Sequence, residues 1–220
     1  MQTNQLYKIK DKEYFSNVRE DLISCLDINS EGAVLEIGAG SCDTLVAIKE
    51  RKLAQEVVGV ELCALPNSNQ QNPILDQLHI CSVEESIQLL ETNHFDAIIC
   101  GDVLEHLVDP WVIINKLVSL LKNDGLLIVS VPNFREVKNL TKILFTGRFE
   151  YKPSGIMDKT HLRFFCRKNL IDLVTNESLV LVSAFGNYHR LGWRKSVRYL
   201  HLGLLDEFLT FQNISVSKKI

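Results

Sequence analysis

The chain has 220 residues, of which 46% are hydrophobic and 23% charged, so one globular domain with a sizeable core is expected. The formal net charge of -3 gives no overall attraction to nucleic acid or to acidic membranes, and no nucleic-acid partner is expected. The six scattered cysteines form no C-x-x-C pair, and no apolar leader or long apolar run is present, which predicts a soluble, cytoplasmic protein without a zinc ribbon.

Apolar runs alternate with helical patterns through the first 132 residues. Residues 11–27 carry apolar side chains at helical spacing and predict a helix within an N-terminal helical cap at 1–30. Strands are predicted at the start of AVLEIGAG (33–40) and at 56–62, 78–81, 95–102 and 126–132. Helices are predicted at 42–53, 82–90 and 110–121.

After Pro132 the pattern changes to an irregular, polar and aromatic segment, residues 133–166. A helix at 168–176 and strands at 179–186 and 209–217 follow, and the long connection at 187–208 is expected to carry structure of its own. Buried strands that alternate with helices imply a parallel sheet covered on both faces. We expect this sheet to end in the last two strands.

A glycine turn follows the first strand at Glu36-Ile37-Gly38-Ala39-Gly40. Glycine has no Cβ, so Gly38 and Gly40 let the main chain approach a ligand closely. The next helix offers free N–H groups to that ligand. Glu61 ends the second strand, where a carboxylate commonly binds ribose hydroxyls.

The ligand of this turn has two main candidates, and a turn without a ligand is the alternative to both. An NAD(P)-binding oxidoreductase or epimerase would prefer a third glycine where Asp43 stands, and the chain has no Y-x-x-x-K pair. Glu36 would sit poorly beside a pyrophosphate and well beside an α-amino group. A zwitterionic nucleoside is therefore favoured. A non-catalytic binding module stays a further alternative, although Gly38, Gly40 and Glu61 are all present.

Four ordered motifs within residues 33–133 carry a family resemblance: VLEIGAGSCDT, VVGVEL, FDAIICGDVLEHLVDP and LLKNDGLLIVSVPN. They resemble the motifs of class I methyltransferases that depend on S-adenosyl-L-methionine. The resemblance implies a single domain over 1–220, with a Rossmann-like, mostly parallel sheet of seven strands, helices on both faces and a final antiparallel strand. Residues 133–166 and 187–208 would be insertions on the substrate side.

The resemblance also implies a cofactor site. Glu36, Gly38 and Gly40 would line the methionine end, Glu61 would bind the ribose diol, and Ser82 and Val83 would flank the adenine. Asp102 would lie near the methionine part, and Tyr14 and Arg19 would belong to a helix that closes over the cofactor. Arg19 could pair with the cofactor's carboxylate or be a solvated arginine on an amphipathic helix.

The fourth-strand motif ends in Leu104-Glu105-His106, next to Asp102. This element resembles the ubiquinone-pathway O-methyltransferases, in which the acid and the histidine can help to hold a divalent metal. In many class I enzymes that carry this element, the histidine instead packs against a loop or caps it. We expect His106 to line the active site without a metal.

The segment GRFEYKPSGIMDKTHLRFF (147–165) resembles a bacterial methyltransferase group associated with glycan and surface-polysaccharide pathways. On a helical turn Asp158 and His161 would share a face, and the carboxylate would orient the imidazole as a catalytic base. Arg163 and Tyr151 would bind substrate, Arg163 through an anionic group. Alternatively, His161 and Arg163 tether the segment to the sheet, while the two phenylalanines that follow fill the core.

The segment HRLGWRKSVRYLH (189–201) interleaves basic and aromatic residues. It could contact a nucleotide-sugar, a lipid-linked phosphate or a membrane surface, although a solvated helical face is the commoner meaning of such a pattern. The expected function is methyl transfer from S-adenosyl-L-methionine to a small-molecule or glycan-like hydroxyl or amine, on an acceptor that can be anionic. No oligomeric state is predicted.

Overall fold

A computed structural model describes residues 17–188 and 205–220, and the structural statements that follow refer to these ranges. The strands are β1 (Ala33–Ile37), β2 (Glu56–Glu61), β3 (Gln77–Ile80), β4 (Phe95–Gly101), β5 (Leu121–Pro132), β6 (Leu179–Asn187) and β7 (Gln212–Lys219). The helices are α1 (Glu20–Ile23), α2 (Asp43–Glu50), α3 (Val83–Ser86), α4 (Pro110–Leu120), α5 (Val137–Thr146), α6 (Arg167–Leu173) and α7 (Asp206–Leu209). Short 3₁₀ turns form at Asn69–Gln71 and Leu104–His106.

The seven strands form one sheet in the order β3-β2-β1-β4-β5-β7-β6. The first five strands pair in parallel, and β7 runs antiparallel between β5 and β6. The predicted fold class, a mostly parallel sheet with a final antiparallel strand, is confirmed. The carboxyl ends of β1, β2 and β4 meet at the edge of the sheet where ligands of such folds bind.

Helices cover both faces of the sheet because successive strand residues point in opposite directions. Leu35 and Ile98 enter one apolar cluster, which α4 and α6 cover. Their neighbours Val34 and Ile99 enter a second cluster, which α1 and α2 cover. The continuous apolar runs that predict buried strands therefore contribute to both cores. Packing on both faces holds the strand ends, which carry the site, in place.

The interpretation of residues 133–166 as irregular is wrong at α5, a helix of ten residues. The Glu136 side chain accepts hydrogen bonds from the backbone N–H groups of Lys138 and Asn139 and so starts the helix. Gly147, at φ 64°, ends it in the left-handed conformation. The prediction for the two phenylalanines agrees with their positions, since Phe165 is buried and Phe164 packs its ring on Phe134 and Phe149.

Several predicted helices are shorter in the structure, among them the one predicted at 42–53, which covers Asp43–Glu50. Of the helix predicted over 11–27, only α1 forms among the described residues. After Ile23 the backbone hydrogen bonds are of the i→i−3 kind, which is typical of turns. Ser82 caps α3 through a hydrogen bond to the Glu85 N–H, as predicted, but the helix ends at Ser86. The helix predicted to reach residue 176 ends at Leu173.

Two predicted features lie outside the described residues, namely Tyr14 and the basic segment 189–201. None of the helices within the described ranges has the length and hydrophobicity needed to cross a bilayer.

Candidate active site

A cleft of about 700 Å³ lies at the carboxyl ends of the central strands. Its walls come from the glycine turn after β1, the end of β2, the start of α3, the chain after β4 and the loop before α6. A volume in this range suits a nucleoside-sized ligand. The predicted cofactor residues that line it are Arg19, Glu36, Gly38, Gly40, Glu61, Ser82, Val83 and Asp102, and the predicted catalytic residues that line it are His106, Asp158 and His161.

The turn between β1 and α2 needs its glycines. Gly38 and Gly40 have φ values of 72° and 53°, which side-chain-bearing residues rarely adopt. A Cβ on Gly38 would also clash with Cγ2 of Val103. The N–H groups of Gly38 and Ala39 donate to the Val60 carbonyl, which holds the turn against the end of β2. The main chain of the turn therefore forms part of the cleft wall.

Glu61 is buried where β2 meets this turn. Its Oε2 accepts a 2.8 Å hydrogen bond from the Gly40 N–H, and its Oε1 accepts bonds from the N–H groups of Leu62 and Cys63. Burial raises the pKa of the Glu61 carboxyl, and the three N–H groups oppose that effect. The carboxylate is thus held rigidly at the cleft, which fits the predicted role of binding a sugar diol.

Glu36 places a second buried carboxyl in the cleft wall. Burial raises its pKa to about 8, although the charge of Arg19 and a hydrogen bond with Thr44 act in the opposite direction. Its Oε2 has no hydrogen-bond partner among the described residues. A buried acceptor without a donor is costly, so a ligand that carries an ammonium group would satisfy this oxygen.

Arg19 and Asp102 form an ion pair at the same end of the cleft. The guanidinium donates to Asp102 at 2.9 Å and to Asp21 and Ser130 at 3.0 Å. Gln212 also donates to the Asp102 carboxylate. The predicted contacts of Arg19 and Asp102 with a cofactor stay predictions, and the structure shows both residues in the wall and bound to each other.

Two imidazoles lie edge to face in the same cleft. The rings of His106 and His161 have centroids 4.8 Å apart at an angle of 70°. Nδ1 of His161 lies 3.0 Å from the Ile156 carbonyl oxygen, and Nδ1 of His106 lies 3.1 Å from that of Thr160. Since a carbonyl can only accept, each neutral ring carries its proton on Nδ1 and its lone pair on Nε2. Both rings are therefore oriented as proton acceptors.

Glu105 adds a carboxylate to this pair. It is buried, and its Oε1 lies 4.0 Å from Nε2 of His161. Glu105, His106 and His161 could hold a metal ion, because one ligand atom from each lies within 4.8 Å of the others. Imidazoles whose other nitrogen donates to a carbonyl are common metal ligands. The sequence prediction of a site without metal stays a prediction.

The helical turn predicted for Asp158 and His161 is wrong. The segment forms a hydrogen-bonded turn and no helix, and in this turn the His161 N–H donates to the Asp158 carbonyl at 3.1 Å. The Asp158 carboxylate accepts from the N–H and the hydroxyl of Thr160, at 2.9 and 2.7 Å. Because the Thr160 carbonyl orients His106, Asp158 supports the imidazole pair through Thr160.

The comparisons with known proteins decide the family. The sequence model of the methyltransferase domain family matches residues 11–184, most of the chain. The chain belongs to this family. It is a methyltransferase whose methyl donor is S-adenosyl-L-methionine, as the sequence motifs predict.

Relatives and solved structures agree with this assignment. The methyltransferase is 27% identical over 173 residues to a ubiquinone biosynthesis O-methyltransferase of Histophilus somni, covering 74% of this chain and 70% of the relative. It is 33% identical over 132 residues to that of Glaesserella parasuis, covering 56% and 55%. The chain thus spans 70% and 55% of the lengths of these relatives. A S-adenosylmethionine dependent methyltransferase from Mesorhizobium loti has the same fold, with a TM-score of 0.62, 12% identity and coverage of 90% and 95%.

The family assignment and the antiparallel β7 do not support the alternative of an NAD(P)-dependent oxidoreductase, whose sheet would be parallel throughout. In this methyltransferase the cofactor fits the donors and acceptors of the cleft. Glu61 would take the ribose hydroxyls and the unpartnered Glu36 oxygen would take the amino group.

Two predicted substrate residues do not line the cleft. The Arg163 guanidinium donates to the Val108 carbonyl and lies 5.8 Å from the Trp111 ring. Tyr151 is half exposed and packs against Phe149. The structure does not bring either side chain to the imidazole pair, and their contact with substrate stays a prediction.

Proposed function

We propose that this methyltransferase transfers a methyl group to a hydroxyl oxygen of a small molecule, and that His161 accepts the hydroxyl proton. One observation carries the proposal: two imidazoles, each with its lone pair on Nε2, stand in the same cleft as the cofactor residues. An imidazole is well matched to removing a hydroxyl proton near neutral pH. The named relatives, which are O-methyltransferases, favour oxygen as the acceptor atom.

The cofactor, when bound, supplies an electrophilic methyl group on a sulfonium sulfur. The chain's own residues position and deprotonate the acceptor. When the acceptor oxygen takes the methyl group and the methyl–sulfur bond breaks to leave S-adenosylhomocysteine, Nε2 of His161 would hold the hydroxyl proton. The resulting imidazolium lies beside Glu105, whose carboxylate is 4.0 Å away and stabilises the new charge. The Ile156 carbonyl keeps the ring in the orientation that this transfer needs.

The acceptor class follows from what the imidazole can deprotonate. A phenolic hydroxyl loses its proton to an imidazole more readily than a sugar hydroxyl, while an amine needs less assistance. A screen with labelled S-adenosylmethionine should therefore include phenols such as quinone precursors, sugars, nucleotide-sugars and amines. We expect label in a hydroxyl-bearing compound. Label in amines alone would contradict the proposal.

The residue test is His161→Ala. We expect kcat to fall by roughly 10²- to 10⁴-fold, while the Kd for S-adenosylhomocysteine changes less than about twofold. His94→Ala is the matched control, since His94 pairs with Glu56 away from the cleft and its loss should leave kcat unchanged. Full turnover by the His161 variant would refute its role as base.

A metal-assisted route is the second candidate, because Glu105, His106 and His161 could hold a divalent ion. Such an ion would supply Lewis-acid activation of the hydroxyl. Assays in EDTA separate the two routes. Turnover that survives chelation supports His161 as the base. Turnover that is lost and returns with Mg²⁺ or Zn²⁺ supports the metal.

A further inference from the structure

The residues from α5 to Tyr151, which we call the protruding segment (137–151), expose large apolar side chains. No residue of α5 is buried. Leu144 and Phe145 are 76% and 81% exposed, and Phe149 and Tyr151 are 43% and 50% exposed. Large apolar groups that lie this close together on a surface mark a contact site more often than a solvated face.

The chain on either side of these apolar groups is rich in basic residues. Residues 135–163 contain seven basic residues, namely Arg135, Lys138, Lys142, Arg148, Lys152, Lys159 and Arg163, against three acidic ones, Glu136, Glu150 and Asp158. Glu136 and Asp158 are buried, Arg135 is paired with Glu207, and Lys142 is paired with Glu150. When Glu207 is counted with the three acidic residues, residues 135–163 keep an excess of three positive charges, although the net charge of the chain is −3.

We propose that the protruding segment binds an anionic lipid surface. Leu144 and Phe145 would insert at the boundary between headgroups and acyl chains, and Lys138 and Arg148, with the adjoining Lys152, would contact lipid phosphates. A basic, amphipathic helix with exposed apolar groups is the usual element for such binding. The inference is independent of the methyl acceptor, and it places the membrane contact at a different segment from residues 189–201.

Charge complementarity favours lipid over a second copy of this chain. A twofold dimer would bring each protruding segment against its own counterpart. The positive charges of both copies would then face each other, at a cost that an anionic lipid surface does not impose.

Flotation of the full chain with vesicles tests the proposal. We expect binding to phosphatidylcholine vesicles that contain phosphatidylglycerol, and at least tenfold weaker binding to phosphatidylcholine alone or in high salt. The double variant Leu144→Ser/Phe145→Ser should lose roughly tenfold or more of the binding, because it removes the inserting groups. Val182→Ser, 60% exposed on β6, is the matched control and should bind like the wild type.

Three results would overturn the proposal. The wild type could fail to float with anionic vesicles, or the double variant could float as well as the wild type. The third result is self-association without vesicles, measured by sedimentation, that the double variant abolishes, since this would assign the surface to a second copy. Circular dichroism and S-adenosylhomocysteine affinity should be unchanged in the double variant, which shows that its fold and cleft are intact.

Discussion

Cofactor binding should be coupled to a proton on Glu36. Burial raises the pKa of this carboxyl to about 8, so at pH 7 it is ionised in only about a tenth of the molecules. The ammonium group of the cofactor favours the ionised form when it binds Oε2. Binding of S-adenosylhomocysteine at pH 7 should therefore release most of one proton. Between pH 6 and 8 the Kd should fall by up to about tenfold per pH unit.

Titration calorimetry in buffers of different ionisation enthalpy measures this proton release directly. Glu36→Gln should release no proton and show a Kd that does not change over this pH range. Glu84→Gln is the matched control, since Glu84 is an exposed acid in the cleft wall, and it should keep the wild-type release. A wild-type protein that releases no proton and has a pH-independent Kd would refute the assignment of Glu36 to the amino group.

The same carboxyl predicts how the stability of the ligand-free protein changes with pH. The pKa of Glu36 is higher in the folded than in the unfolded chain, so the folded state binds more protons. Its contribution to the free energy of unfolding is present below about pH 4.5 and is lost as the pH rises toward about 8. Urea unfolding should show this decline in the wild type and a smaller one in Glu36→Gln.

Two further variants test the cofactor side of the cleft. Gly38→Ala should cost about 1–3 kcal/mol of unfolding free energy and lower cofactor affinity, because its Cβ meets Val103 and its φ is 72°. Val103→Ala in the same chain should recover part of both losses, and an unchanged melting curve for Gly38→Ala would contradict the turn geometry. Glu61→Gln should raise the Kd for S-adenosylhomocysteine by roughly 10- to 100-fold, because an amide replaces the charged acceptor of the ribose hydroxyls. Calorimetry checks this value, and wild-type affinity would remove Glu61 from the site.

The sequence predicts the sheet well because its strands are continuous apolar runs. Val34 and Leu35 serve opposite cores, so the chain must be apolar at both positions, and this pattern can be read without a structure. The glycine turn and Glu61 could also be predicted, because each directly follows or ends one of these apolar strands. In the structure a hydrogen bond joins Gly40 to the Glu61 carboxylate at the end of the next strand.

The imidazole pair could not be predicted in the same way. Glu105 and His106 are far from His161 in the sequence, and only the fold brings them together, with the N–H groups of Leu162 and Arg163 donating to the Glu105 carbonyl. The expected helical turn at Asp158 fails because the carboxylate caps the local turn through Thr160. Helix α5 was missed although Val137, Leu140 and Leu144 recur at helical spacing, a signal that the sequence does carry.

A crystal structure with S-adenosylhomocysteine tests the central assignment most directly. We predict that the ribose hydroxyls lie within hydrogen-bond distance of Glu61, that the amino group lies at Oε2 of Glu36, and that the sulfur faces the space in front of His161. Ligand bound elsewhere on the protein, or a cleft that stays empty at saturating ligand, would contradict the account.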